Sequence, residues 1–217
     1  MAMWRVIIVG LFLLGCKDVV FTLPSLKLHY AVSQIPTKAN LGPLVLGYPA
    51  VVFKHHFVPK YDQKKYILAL QKGVGALLEA KGYQVSLAST ATGAKLSGTI
   101  SLGFNSVPRN LKAIQAVLKE THNDYLDPTQ VLHMLMATSD LKLQICNSTA
   151  PSCVIQVYTK IQEPVLQFNA IDSDPNERGD SNQNYNNALT QALNKLYAKT
   201  MQTMESTFKT PKTFMIQ

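Results

Sequence analysis

The sequence predicts an α+β fold: a mostly antiparallel sheet with one early and one C-terminal long helix packed on one face, in a single domain. Three observations carry this reading. Residues 60–81 and roughly 184–207 space their apolar side chains at helical period. Shorter runs elsewhere alternate apolar and polar residues, the period of a half-buried strand. Two such runs, 141–145 and 154–158, flank residues 147–152 closely enough to pair as an antiparallel hairpin. Helices near the start and end of a series of strands fit an α+β arrangement with both on one face. A hydrophobic content of 47% against 16% charged residues belongs to a folded chain.

The elements follow in order. Residues 1–15 read as a lipoprotein signal peptide: Arg5 gives the positive start and residues 6–14 an apolar run. That run is shorter than the roughly 20 residues needed to span a bilayer. It ends in Leu13-Leu14-Gly15-Cys16, the pattern of a lipobox, so Cys16 is expected to become the acylated first residue. Each buried CH₂ contributes about 0.8 kcal/mol, so several acyl chains hold a protein in the membrane effectively permanently. Lys17 is not the Asp that retains lipoproteins at the inner membrane in some bacteria. Residues 16–24 form the lipidated tether, and residues 25–217 the single globular α+β domain.

Residues 25–32 alternate and read as a first strand. Residues 44–53 are a second apolar run, broken at Gly47 and Pro49, expected as an edge strand or an irregular segment. The first helix, 60–81, sets Tyr66, Ile67, Leu70, Val74, Leu77 and Leu78 on one stripe, with Gly82 placed to cap it. Gly73 and Gly75 each cost a helix about 1 kcal/mol and read as close-packing points against a sheet. Residues 83–87 and 95–104 are strands. Residues 105–135 are expected to be irregular, with short helices at 110–119 and 128–135. Residues 165–171 read as the last strand and 172–183 as a polar loop. The final helix lines up Tyr185, Leu189, Ala192, Leu193, Leu196, Met201, Met204 and Phe208.

Beyond Cys16 two cysteines remain, Cys146 and Cys153, at the ends of the two hairpin runs. In an oxidising compartment they are expected to form a structural disulfide. On the loop-entropy model so short a loop gives roughly 2.5 kcal/mol. Two thiolates with no nearby histidine do not suit a metal. Adjacent strand residues point to opposite faces, so His55-His56 cannot share an ion either, and no metal site is expected.

The formal net charge is +8, and cleavage removes only Arg5 of the basic residues. Such a surface suits anionic partners. No arginine-rich or aromatic-interleaved basic stretch occurs, so nucleic acid is not an expected partner. Ser139-Asp140 lacks a histidine at a recognisable spacing, and there is no nucleophile elbow or phosphate loop. The chain is therefore read as not an enzyme and as needing no cofactor. Arg178-Gly179-Asp180 spells an integrin-type tripeptide, in a setting where turn chemistry alone also favours Gly and Asp. Asn147-Ser148-Thr149 is a glycosylation pattern without a use in a bacterial cell.

Three blocks resemble the neuraminyllactose-binding haemagglutinin family, surface lipoproteins of spiral gastric bacteria. They are the lipobox with Leu26-Lys27-Leu28-His29-Tyr30, the helix end Ala80-Lys81-Gly82-Tyr83-Gln84-Val85, and residues 187–198 with Met201-Gln202. The middle of the chain matches poorly, so it looks like a divergent paralogue. The resemblance implies an outer-membrane or surface lipoprotein, associated in that family with the flagellar sheath and with adhesion. It also implies a place for sialylated glycan. The family's basic motif, Lys-Arg-Thr-Ile-Gln-Lys, has its nearest match in residues 111–116, which makes Lys112 and Gln115 the glycan-binding candidates. Ile114 and Gln115 agree, Lys112 stands for Arg, and both flanking lysines are absent. A carboxylate is best held by an Arg fork, whereas Lys offers a point charge.

Two readings stay open. In one, the anchored domain faces outward and binds host glycan or protein. In the other, it faces the periplasm as a scaffold for another envelope component. In both, the Cys16 anchor makes the lipid bilayer a partner.

Overall fold

A computed structural model describes residues 23, 26–33, 40–55, 58–88, 93–106, 110–120, 122, 127–147, 150–166 and 181–209. The Cys16 anchor, His56, Ser148, Thr149 and Arg178-Gly179-Asp180 lie outside these.

Among the described residues six strands form one sheet and three helices pack on it, an α+β fold as expected. The strands are β1 (Gly42–Leu46), β2 (Ala50–Lys54), β3 (Tyr83–Leu87), β4 (Ala94–Ser106), β5 (Val131–Asn147) and β6 (Ala150–Leu166). The helices are α1 (Lys60–Lys81), α2 (Leu111–Glu120) and α3 (Ser181–Lys209). The order across the sheet is β3-β1-β4-β5-β6, with β2 also on β4. The long pairings β4/β5 and β5/β6 are antiparallel, and the short ones β1/β3, β1/β4 and β2/β4 are parallel.

The broken apolar run 44–53 is a strand split in two. Leu46 pairs with Ala94 and Ala50 with Ser97, so β1 and β2 follow one another along the same edge of β4. Gly47, Tyr48 and Pro49 make the break, because Pro has no N–H for the ladder. α1 then crosses back so that β3 pairs parallel with β1. Its C-cap is Gly82, left-handed at φ 112°, whose N–H reaches Glu79 O and Leu78 O.

α1 and α3 lie on the same face. Their side chains share one core with Leu46, Ile100, Leu135, Leu141 and Leu143 of the sheet, all fully buried. The Tyr66 ring stands edge-on between Phe53 and Tyr197, each 5.8 Å away. Burial pushes the Tyr66 phenol far up, and its hydroxyl has no hydrogen-bond partner among the described residues. α3 is tied to β6 by Thr200 Oγ1 bonding Thr159 Oγ1 at 3.2 Å and by the Lys195–Glu163 ion pair at 2.8 Å.

Four expectations are corrected. Residues 26–33 are extended, with Leu26, Leu28, Tyr30 and Val32 packed on the core, yet they join no strand. They form a strap over the helices, held by Leu23 N to Asp62 Oδ2 at 2.9 Å, Lys27 N to Asn194 Oδ1 at 2.7 Å, and Tyr30 OH to Glu205 Oε2 at 2.6 Å. Alternation reports one buried side and is silent about what the backbone pairs with. The helix expected at 128–135 is a single 3₁₀ turn, Pro128–Gln130, capped by Asp127, which runs straight into β5. The segment expected as a separate last strand begins inside β6, which reaches Leu166.

The fourth correction concerns the hairpin tip. The hairpin is present, but Cys153 pairs with Ile145. Ile145 is buried, and Cys146 beside it is exposed with a free thiol. The expected Cys146–Cys153 disulfide is not seen: the Cys146 thiol is free, and the register sets Ile145, one residue away, opposite Cys153.

Candidate binding surface

The side of the sheet opposite α1 and α3 is open. β4, β5 and β6 turn alternate residues towards it, and the register sets these in rows. One row runs Val52, Thr99, Asp140, Tyr158; the next Lys54, Ser101, Thr138, Lys160; a third Ala50, Ser97, Lys142, Gln156. Tyr158 is 63% exposed and Val52 61%. Lys54, Lys95, Lys142 and Lys160 are all exposed. Asp140 is the one acid on this side among the described residues of β2, β4, β5 and β6. Its Oδ1 accepts from Gln156 Nε2 at 3.0 Å. The face is thus basic, with an aromatic ring among the lysines.

α2 stands at one end of the same face. Ile114 and Leu118 bury against Val131 and Met134, a small core separate from the main one. Met134 pairs with Asn105 and so points to the open side, whereas its neighbour Leu135 points to the helices. Asn110 starts α2, its Oδ1 accepting from Lys112 N at 3.1 Å and Ala113 N at 3.4 Å. With Ile114 and Leu118 turned inward, Lys112 and Gln115 are exposed and adjacent at i, i+3. The structure thus places the two glycan candidates together on solvent-facing helix surface, at the end of a lysine-bearing sheet.

The remaining candidates fall apart in space. Ser139 is buried and its hydroxyl unpartnered among the described residues, while Asp140 faces the open side, as neighbours on one strand must. His55 is exposed with φ 79°. Among the described residues no group of three or more His, Cys, Asp or Glu could hold a metal, and no helix is long and apolar enough to cross a membrane.

Exposed lysines act as flexible point charges, each worth about 0–1 kcal/mol against an anion. A face of several suits an extended or multivalent anionic partner, where weak contacts add through effective concentration. Sequence reading missed this face. Its signal was Lys142, Lys160 and Tyr158 recurring at even spacing in runs whose odd positions are apolar.

No family model and no curated protein sequence matches the chain. Solved structures do. One, provisionally described as a neuraminyllactose-binding hemagglutinin homolog from Helicobacter pylori, is 18% identical with a TM-score of 0.52, over 82% of this chain and 91% of that one. Rare lipoprotein B from Shewanella oneidensis is 11% identical with a TM-score of 0.32, over 75% of this chain and 95% of its own. A Xanthomonas campestris protein is 14% identical with a TM-score of 0.33, over 83% and 99%. At these identities the first likeness establishes a shared fold: the chain has the architecture of the Helicobacter pylori hemagglutinin homolog.

Proposed function

We propose that the protein is a membrane-anchored envelope lipoprotein of adhesin type, carrying no catalytic step. Cys16 holds it in the outer membrane, and the open sheet face with α2 takes an anionic partner such as a sialylated host glycan. The observation that carries the binding half is the face itself, with Lys54, Lys95, Lys142, Lys160 and Tyr158 exposed and Asp140 the one acid there among the described residues. The lipobox supports the anchor, and the shared fold is compatible with both.

Two experiments test the reading. Cys16→Ser is expected to abolish labelled-palmitate incorporation and detergent-phase partitioning; unchanged labelling sinks the anchor. Intact-cell protease shaving combined with glycan binding tests the rest. Binding to sialylated but not desialylated glycan, weakened by Lys142→Gln with Lys160→Gln, is expected. A domain inaccessible on intact cells favours the second reading, a periplasm-facing scaffold whose basic face meets another envelope component.

A further inference from the structure

The outer side of α1 carries a second basic stripe, on the opposite side of the molecule from the open sheet face. Lys60, Tyr61, Lys64, Lys65, Leu68 and Lys72 are all exposed, Tyr61 at 60% and Leu68 at 37%. At 100° per residue these six fall within about 140° of one another around the helix, so they form one continuous strip. No acid interrupts it. Asp62, the one carboxylate before Glu79, is 2% exposed and accepts from Leu23 N at 2.9 Å.

That hydrogen bond fixes where the chain comes from. Leu23 is pinned to the first turn of α1 and is the seventh residue after Cys16. A chain of that length reaches at most about 25 Å. Whatever holds Cys16 therefore lies within about that distance of Leu23, at the first turn of α1 that carries Lys60, Tyr61 and Lys64. Lysines flanking an aromatic and an aliphatic side chain suit the headgroup region: the charges meet lipid phosphates and the ring sits at the interface.

We propose that this stripe of α1 docks on the anionic surface of the bilayer that holds the lipid anchor, so that α1 lies against the membrane and the open sheet face points away from it. The inference rests on the anchor reading above and adds orientation to it. The helix layer then separates the bilayer from the binding face, which is presented outward without a long stalk.

The test uses the acylated mature chain in phosphatidylcholine vesicles with and without phosphatidylglycerol. The one Trp of the sequence, Trp4, is in the signal peptide, so Tyr61→Trp places a single indole on the stripe and Tyr158→Trp a control on the far face. With phosphatidylglycerol, the indole at 61 should shift to the blue and be quenched by spin-labelled lipid several-fold more than the indole at 158. Lys60→Glu, Lys64→Glu, Lys65→Glu and Lys72→Glu together should remove that difference while the chain still floats with the vesicles. Equal quenching at 61 and 158 in a chain that floats overturns the proposal and leaves the anchor intact. A chain that does not float with phosphatidylcholine lacks the anchor. The stripe is then read from flotation with phosphatidylglycerol alone, which the four substitutions must abolish for the proposal to stand.

Discussion

Gly73 of α1 lies against Tyr197 of α3, so close that a Cβ on the glycine would stand 2.9 Å from the tyrosine oxygen and 2.8 Å from the Met201 methyl. The same hydroxyl donates to Ala69 O at 3.1 Å, which holds the ring in place. Gly75 faces the sheet instead, where an added Cβ would meet Leu87, Val85 and Leu46 at 3.5 to 3.9 Å, ordinary contact. Two glycines that look alike in sequence therefore do different things: Gly73 lets the helices cross closely, and Gly75 leaves space unused.

Gly75→Ala is expected to stabilise the protein by about 0.5–1 kcal/mol through helix propensity. Gly73→Ala has the same gain, offset by an overpacking cost of about 1–3 kcal/mol, and should lose about 1 kcal/mol net. Urea unfolding of the two variants makes the comparison. Equal stabilisation by both would mean that α1 and α3 do not cross at Gly73.

Glu205 clasps the strap. Tyr30 donates to it at 2.6 Å, Lys209 pairs with it at 2.6 Å, and Ser33 also donates to it. Burial pulls the carboxyl upward but is outweighed by the bonds from Lys209, Ser33 and Tyr30, which hold it at about 2. Burial and the Glu205 carboxylate together push the Tyr30 phenol up to about 12. A depressed carboxyl stabilises the fold above its unfolded value of 4.5, and that contribution is lost as pH falls towards 2. Glu205→Gln should cost about 1–2 kcal/mol at pH 7. The gap to wild type should close between pH 4.5 and 2 in unfolding curves. A gap independent of pH would rule out the clasp.

Lys195 and Glu163 pair at 2.8 Å, with Glu163 buried and Lys195 partly exposed. Burial raises the Glu163 carboxyl above 4.5 even though Lys195 opposes it. A raised carboxyl favours the fold at low pH and weakens it as pH rises through the folded value. Removing the lysine alone raises it further. Lys195→Met should therefore lose about 2–3 kcal/mol at pH 7 and recover much of it near pH 4. Lys195→Met with Glu163→Leu should be far less damaging than Lys195→Met alone. A double variant as unstable as the single one would show that the unpaired charge is not the cause.

Cys146 should be alkylated in the native protein without reduction, and Cys146→Ser should change stability by less than about 0.5 kcal/mol, as exposed substitutions do. Mass spectrometry of the blocked chain reads the first and denaturant unfolding the second. A linked 146–153 peptide would instead mean that β5 and β6 pair one residue out of the register seen here.

The elements whose period was long and clean were legible in the sequence. α1 and α3 declared themselves through stripes ending at Leu78 and Phe208, and Gly82 marked a helix end because the left-handed turn there excludes most side chains. Local signals failed where two structures share one pattern. Residues 26–33 alternate whether they join a sheet or lie across helices. Residues 128–135 are apolar enough for a helix, yet Val131 onward is committed to β5 by thirteen successive pairings with β4, between His133 and Ile145. The candidate site divides in the same way. Lys112 and Gln115 were visible as a short stretch, whereas the basic face is assembled from β2, β4, β5 and β6, which no local window contains.

By itself the sequence determined which residues are inside: the periodicity of each element follows from burying one side, and burial is a property of the residue and its spacing. The candidate acceptor for the proposed lipid, Cys16, was also named by the sequence alone, since the lipobox is read as a linear signal. Only the tertiary structure decided the register of Ile145 against Cys153, the placing of α2 on the open face, and the strap that pins Leu23 to Asp62. Each depends on partners far away in the chain, where the choice between two pairings one residue apart is made by the packing of the whole sheet and by no residue alone.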